Sequence, residues 1–118
     1  MARNYIQIEP MIVSHLQPPY YAVIFTSLLT DDLTEYESTA ERMEALAKEQ
    51  AGYLGIEYAR NQLGITVSYW RDLDAILQWK NNVEHIEARN RGREQWYQQY
   101  QLRICKVEKE YGFTKDDI

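Results

Sequence analysis

Between Gly64 and Tyr97 the chain changes its hydrophobic period with almost no linker between the two patterns. Ile65-Thr66-Val67-Ser68-Tyr69-Trp70 alternates, which reads as a β-strand. Arg71-Asp72 follows at once, and an acidic residue at such a junction starts a helix well. Leu73, Ile76, Leu77 and Trp79 then recur at helical spacing. All three tryptophans (Trp70, Trp79, Trp96) and one of the two histidines (His85) fall in this stretch. A buried indole removes a large apolar surface from water and needs a partner for its N–H, so three of them close in sequence imply an aromatic wall. Strand ends that abut helix starts are also where pockets form.

The flanking segments limit the architecture further. Residues 1–19 read as an extended arm in which Ile6 and Ile8 could form a short edge strand, interrupted by Pro10 and Pro18-Pro19. An arm this apolar lies on something, such as a second subunit. Tyr20 to Leu28 is a strand, apolar on both faces. Asp32 with Glu35 predicts an acid-rich capping box for a helix running to about Gln50. Its inner face would be Leu33, Tyr36, Ala40, Met43, Leu46 and Ala47, with Glu37 and Glu44 on the wet side and Gly52 as the stop. Tyr53 to Arg60 pairs as a hairpin with Ile65 to Trp70. A helix from Asp72 to about Asn81 breaks at Asn81-Asn82, because asparagine competes for its own backbone, and a second piece runs from Val83 to about Arg91. Gly92 ends it or permits a bend. Leu102 to Val107 is the fourth strand, Tyr111-Gly112-Phe113 docks the tail, and residues 114–118 fray. The order β-α-β-β-α-β predicts an α+β, ferredoxin-like domain over residues 20–113, an antiparallel sheet with its helices on one face. The other face, also apolar, needs a partner.

Composition excludes several functions. A net charge of −5 leaves nothing to neutralise phosphates, so nucleic acid is not expected as a partner. The single cysteine, Cys105, precludes an internal disulfide and suits a reducing cytoplasm; its apolar neighbours predict a buried, unreactive thiol. The N-terminus lacks a signal-peptide layout, and no apolar run approaches the ~20 residues of a membrane span. The two histidines, His15 and His85, lie far apart with no clustered cysteine, so no metal site is expected. Neither a Gly-rich phosphate loop nor a nucleophile elbow is present. Ten tyrosines suit half-buried sheet faces, interfaces and pocket walls.

Ser68-Tyr69-Trp70, Trp79, Glu84-His85, Ala88-Arg89, Gly92-Arg93, Trp96-Tyr97 and Leu102-Arg103-Ile104, in that order, resemble the antibiotic biosynthesis monooxygenase superfamily, from about Tyr21 to Val107. The resemblance implies a dimeric α+β barrel, in which a second copy covers the open sheet face: a homodimer. It implies a pocket between sheet and helices for a small aromatic or quinol-type molecule, oxidised without metal or prosthetic group. Phe25, Tyr58, Trp70, Trp79, His85, Arg89 and Trp96 or Tyr97 would line it, with His85 as base, Arg89 as anion clamp and Trp70 as wall. His85 suits proton transfer at neutral pH. Other members of the superfamily bind and degrade haem, and that is the alternative. Here the position of their iron ligand falls near Arg89, and Phe25-Thr26-Ser27 stands where they carry an asparagine. A non-enzymatic small-molecule binder is the third reading.

Overall fold

A computed structural model describes residues 11–115 of the chain. Ile6 and Ile8, expected as an edge strand, lie outside the described residues, as do residues 116–118 of the tail. The elements are β1 (Tyr20–Leu29), α1 (Tyr36–Lys48), β2 (Tyr53–Arg60), β3 (Gly64–Trp70), α2 (Leu73–Lys80), α3 (Val83–Arg91), a π-helical turn (Gly92–Trp96) and β4 (Tyr97–Val107). The four strands form one antiparallel sheet in the order β2-β3-β1-β4. This is the expected ferredoxin-like α+β fold.

Local chemistry explains most boundaries. Asp72 caps α2, its side chain accepting from Ala75 N at 2.8 Å. Asn81 closes α2, and Asn82 opens α3 by accepting from His85 N at 3.2 Å, so the asparagine pair is the expected break. Helix α1 departs from expectation. Asp32 spends its carboxylate on Thr34, at 3.3 Å to N and 2.9 Å to Oγ1, in a turn of its own. Glu35 becomes the N-cap with a left-handed φ of 63° and no side-chain cap, so the helix starts at Tyr36 and Leu33 remains exposed. Glu37, expected on the wet side, is half-buried. On α2, Ala75, Ile76 and Trp79 turn inward while Leu73 and Leu77 face out.

Strand β4 begins at Tyr97, not at Leu102. Gln98, Gln99 and Gln101 break the apolar run that marks a strand in sequence, but their backbones pair with β1 from Leu29↔Tyr97 onward. Two further expectations fail at this edge of the sheet. Cys105 is exposed, because β4 is an edge strand with no layer over it. Tyr111 and Phe113 do not dock; they are 96% and 86% exposed.

Register sorts the side chains onto two faces. On the helix side, four rows cross the sheet: Tyr53, Trp70, Tyr21 and Lys106; Ile56, Ser68, Val23 and Ile104; Tyr58, Thr66, Phe25 and Leu102; Arg60, Gly64, Ser27 and Tyr100. The core sits at the first row, where Trp70, Ala47, Ala75 and Ile76 are buried and Tyr21, Val23, Tyr53 and Trp79 pack against them. The opposite face carries Tyr20, Ala22, Ile24, Val67 and Tyr69. The arm crosses its edge: Val13 N donates to Glu57 Oε2 at 2.8 Å and Leu16 N to Glu110 Oε2 at 3.2 Å. The other oxygens of these carboxylates accept from Tyr69 at 2.6 Å and Tyr20 at 2.7 Å. The described part of the arm therefore lies on its own chain.

Candidate functional site

Trp70 ends β3 at 0% exposure, the most completely buried ring in the described chain. Its Nε1–H donates to Ser68 Oγ at 2.9 Å, two residues back on the same face of the strand, so the indole satisfies its donor without leaving the core. Tyr53 meets it edge-on at 5.6 Å between centroids, and Trp79 of α2 stacks on it at 6.2 Å. His85 of α3 continues the stack, its ring 4.2 Å from that of Trp79 and only 10° off parallel. Three of the expected site residues thus form one column leading from the core outward.

The column fixes the chemistry of the histidine. His85 Nδ1 lies 2.8 Å from the Trp79 carbonyl oxygen. A carbonyl only accepts, so Nδ1 carries the hydrogen and Nε2 keeps its lone pair. Nε2 has no hydrogen-bond partner among the described residues. Burial holds the imidazole pKa below its ordinary value, aided by the Arg89 guanidinium and opposed by the bond to Trp79. The ring is therefore held in its neutral form, with the lone pair on Nε2.

Arg89 follows His85 by four residues, which puts both on the same face of α3. Its Nη1 makes only a long contact to Lys80 O, at 3.5 Å. Its Nε is buried with no hydrogen-bond partner among the described residues. An orphaned guanidinium N–H beside a neutral imidazole is a donor awaiting an acceptor.

The remaining expected residues gather one end of the sheet away. Gly92 extends the His85–Arg89 face by another turn, and the Tyr97 ring packs under it so closely that a β-carbon there would stand 2.7 Å from Tyr97 Cε2. Tyr97 meets Phe25 at 5.3 Å and Tyr36 at 6.1 Å. Burial, then the neighbouring Tyr36 hydroxyl, raises its phenol pKa. Trp96 is buried against Tyr36 at 5.6 Å and donates to Thr34 O at 3.0 Å. Tyr58, at 43% exposure, stands on β2 in the same row as Phe25. The structure thus brings Trp70, Trp79 and His85 into one cluster and Phe25, Trp96 and Tyr97 into another, with Arg89 on the helix face between. Neither cluster opens onto the described surface groove of about 310 Å³, which lies between α1 and α3 and is bordered by Arg42, Met43, Glu84 and Ala88.

Sequence reasoning missed Ser68, the indole's acceptor, and the polar groups of the last row, Arg60 and Ser27. Both were readable in principle. Ser68 precedes Trp70 by two, hence shares its face, and the short hairpin places Arg60 opposite Gly64.

The model of the antibiotic biosynthesis monooxygenase family matches residues 19–91. The chain belongs to that family. Uncharacterized protein YqjZ of Bacillus subtilis (strain 168) is 46% identical over 102 residues, covering 85% of this chain and 90% of that one. Among solved structures, SnoaB, a cofactor-independent oxygenase from Streptomyces nogalater, matches with a TM-score of 0.67 at 13% identity, over 79% of this chain and 97% of its own. Rv0793 from Mycobacterium tuberculosis matches with a TM-score of 0.70 at 11% identity, over 79% and 99%. At such identities the structural likeness establishes the fold alone. Among the described residues, no helix is long and apolar enough to cross a membrane, and no group of three or more His, Cys, Asp or Glu could hold a metal ion.

Proposed function

We propose that this family member is a cofactor-independent monooxygenase acting on a small phenolic or quinol-type aromatic between α3 and the sheet. The observation that carries the reading is the pair on one face of α3: a neutral His85 with Nε2 unengaged and Arg89 with Nε buried and unpartnered. A base and an anion holder one helical turn apart are what ionising a phenol requires. His85 Nε2 takes the phenolic proton and Arg89 holds the oxyanion. The anion's electrons pass to dioxygen, and a C–O bond forms at an unsubstituted ring carbon. His85 returns its proton to the outer oxygen, giving a hydroperoxide. It then removes the proton of the ring carbon as the O–O bond breaks. One oxygen stays as a ring carbonyl and the other leaves as water, so no external reductant is consumed. Trp79, Phe25, Tyr58 and Tyr97 supply the aromatic surroundings, backed by the buried Trp70 and Trp96.

Oxygen uptake over a panel of phenols and hydroquinones tests this. His85→Gln should lower turnover about 100-fold or more with unchanged circular dichroism; undiminished turnover removes His85 as the base. Titration with hemin separates the haem reading, which a Soret shift lost in His85→Gln would favour instead.

We further propose a homodimer working in the cytoplasm. Ile24, Leu28, Ile65 and Val67 share the sheet face that carries no helix, and Ile65 is 41% exposed. A second copy would remove this surface from water, and a reducing compartment would keep the exposed Cys105 as a thiol. Sedimentation should give twice the 14.1 kDa chain mass, and Ile65→Lys should shift it toward the monomer.

A further inference from the structure

The last row of the helix-side floor has a cation built into it. Arg60 reaches across β3 to β1, donating from Nη2 to Ser27 Oγ and from Nη1 to Ser27 O at 3.4 Å. Its guanidinium lies where any side chain on residue 64 would stand, so the glycine there clears its path. Ser27 is 2% exposed, so the anchor is out of water. Two of the five guanidinium N–H groups are used on Ser27, and among the described residues no other acceptor takes the rest. Arg60 is also close enough to Tyr97 for its charge to favour the phenolate. Tyr97 in turn lies beneath Gly92, on the α3 face that carries His85 and Arg89.

We propose that Arg60, pinned by Ser27 and flanked by the Tyr97 hydroxyl, is a second anion-binding residue of the same pocket, selecting an aromatic that bears acidic oxygens at both ends. This rests on the site of the Proposed function, with Arg89 at one end and Arg60 at the other. Two fused rings with a carboxylate at each end are the simplest rigid aromatic that offers one anion to each guanidinium. The neighbouring row of the sheet carries Phe25, Thr66 and Leu102, largely apolar and suited to ring faces. Arg60 is thus a specificity residue and not part of the proton transfer.

Binding of two probes, naphthalene-2,6-dicarboxylate and 2-naphthoate, by fluorescence titration tests the assignment without needing turnover. Wild type should bind the dianion about tenfold more tightly than the monoanion. Arg60→Gln should abolish that preference while leaving 2-naphthoate within about twofold. Arg60→Lys should keep part of it, which a merely structural role for the guanidinium would not do. Arg89→Gln should weaken both probes. Equal affinities in the wild type, or a preference that survives Arg60→Gln, overturns the role of Arg60 and leaves the proposed pocket standing. If neither probe binds the wild type, the pocket and the second subsite fail together.

Discussion

The two faces of the sheet solve opposite problems with the same residue type. On the helix side, tyrosines and tryptophans exclude water by stacking: Tyr53, Trp70, Trp79 and His85 form a continuous column. On the other side, Tyr20 and Tyr69 touch edge-on at 5.9 Å and each donates its hydroxyl to a glutamate whose remaining oxygen holds the arm. Packing organises the first face and hydrogen bonds the second. Among the described residues, this packing leaves Nε2 of His85 and Nε of Arg89 without hydrogen-bond partners. The clasp leaves none, since each of its carboxylate oxygens has a donor. The helix side is therefore the face with chemistry to spare, and the arm side is a fastening.

The largest test of this contrast is Trp70→Ala. Removing a fully buried indole should cost about 3–5 kcal/mol in chemical denaturation. On the other face, Tyr69→Phe should cost only about 1 kcal/mol, the worth of one hydrogen bond to Glu57. It should instead speed proteolysis within residues 11–19, which the Trp70 variant that remains folded would not do selectively. If Tyr69→Phe proves as damaging as Trp70→Ala, the distinction between core and clasp is wrong.

The faces should also fail at opposite ends of the pH scale. His85 has a lowered pKa in the fold, so the unfolded chain binds its proton first, and stability falls as pH drops below the ordinary histidine value of about 6.5. The melting temperature should decline less on acidification in His85→Gln than in the wild type. Tyr20 is pushed up to about 12 by burial and by Glu110. Its contribution is complete below the ordinary tyrosine value of about 10 and is lost as pH rises toward about 12. Tyr20→Phe should flatten that alkaline limb. The smallest effect is expected at Arg42→Ala. Its bidentate pair with Glu84, at 2.9 Å for each bond, joins α1 to α3 across open solvent, and the unfolding midpoint should not move measurably.

How much was legible in advance varies with the kind of signal. The hairpin, the Asp72 cap and the Asn81-Asn82 break depend on neighbours within four residues, and they were read correctly. The start of α1 was not, because Asp32 could cap a helix or close a turn on Thr34, and only the path of the chain beyond Leu29 chose the turn. The early start of β4 was hidden because an edge strand needs backbone partners and not apolar side chains. Cys105 read as buried for the complementary reason: its neighbours are apolar, but nothing covers their strand.

The sequence by itself determined the order of elements, since that follows from local periodicity and short turns. That was enough to place Trp70 at a strand end. What only the tertiary structure decided is which side chains meet: His85 flat against Trp79, Arg89 without a partner, and Arg60 lying across Gly64 to Ser27. Those meetings depend on how α2 and α3 lie over a twisted sheet and on contacts between residues far apart in the chain. Such contacts follow from packing in three dimensions, which no window of sequence contains.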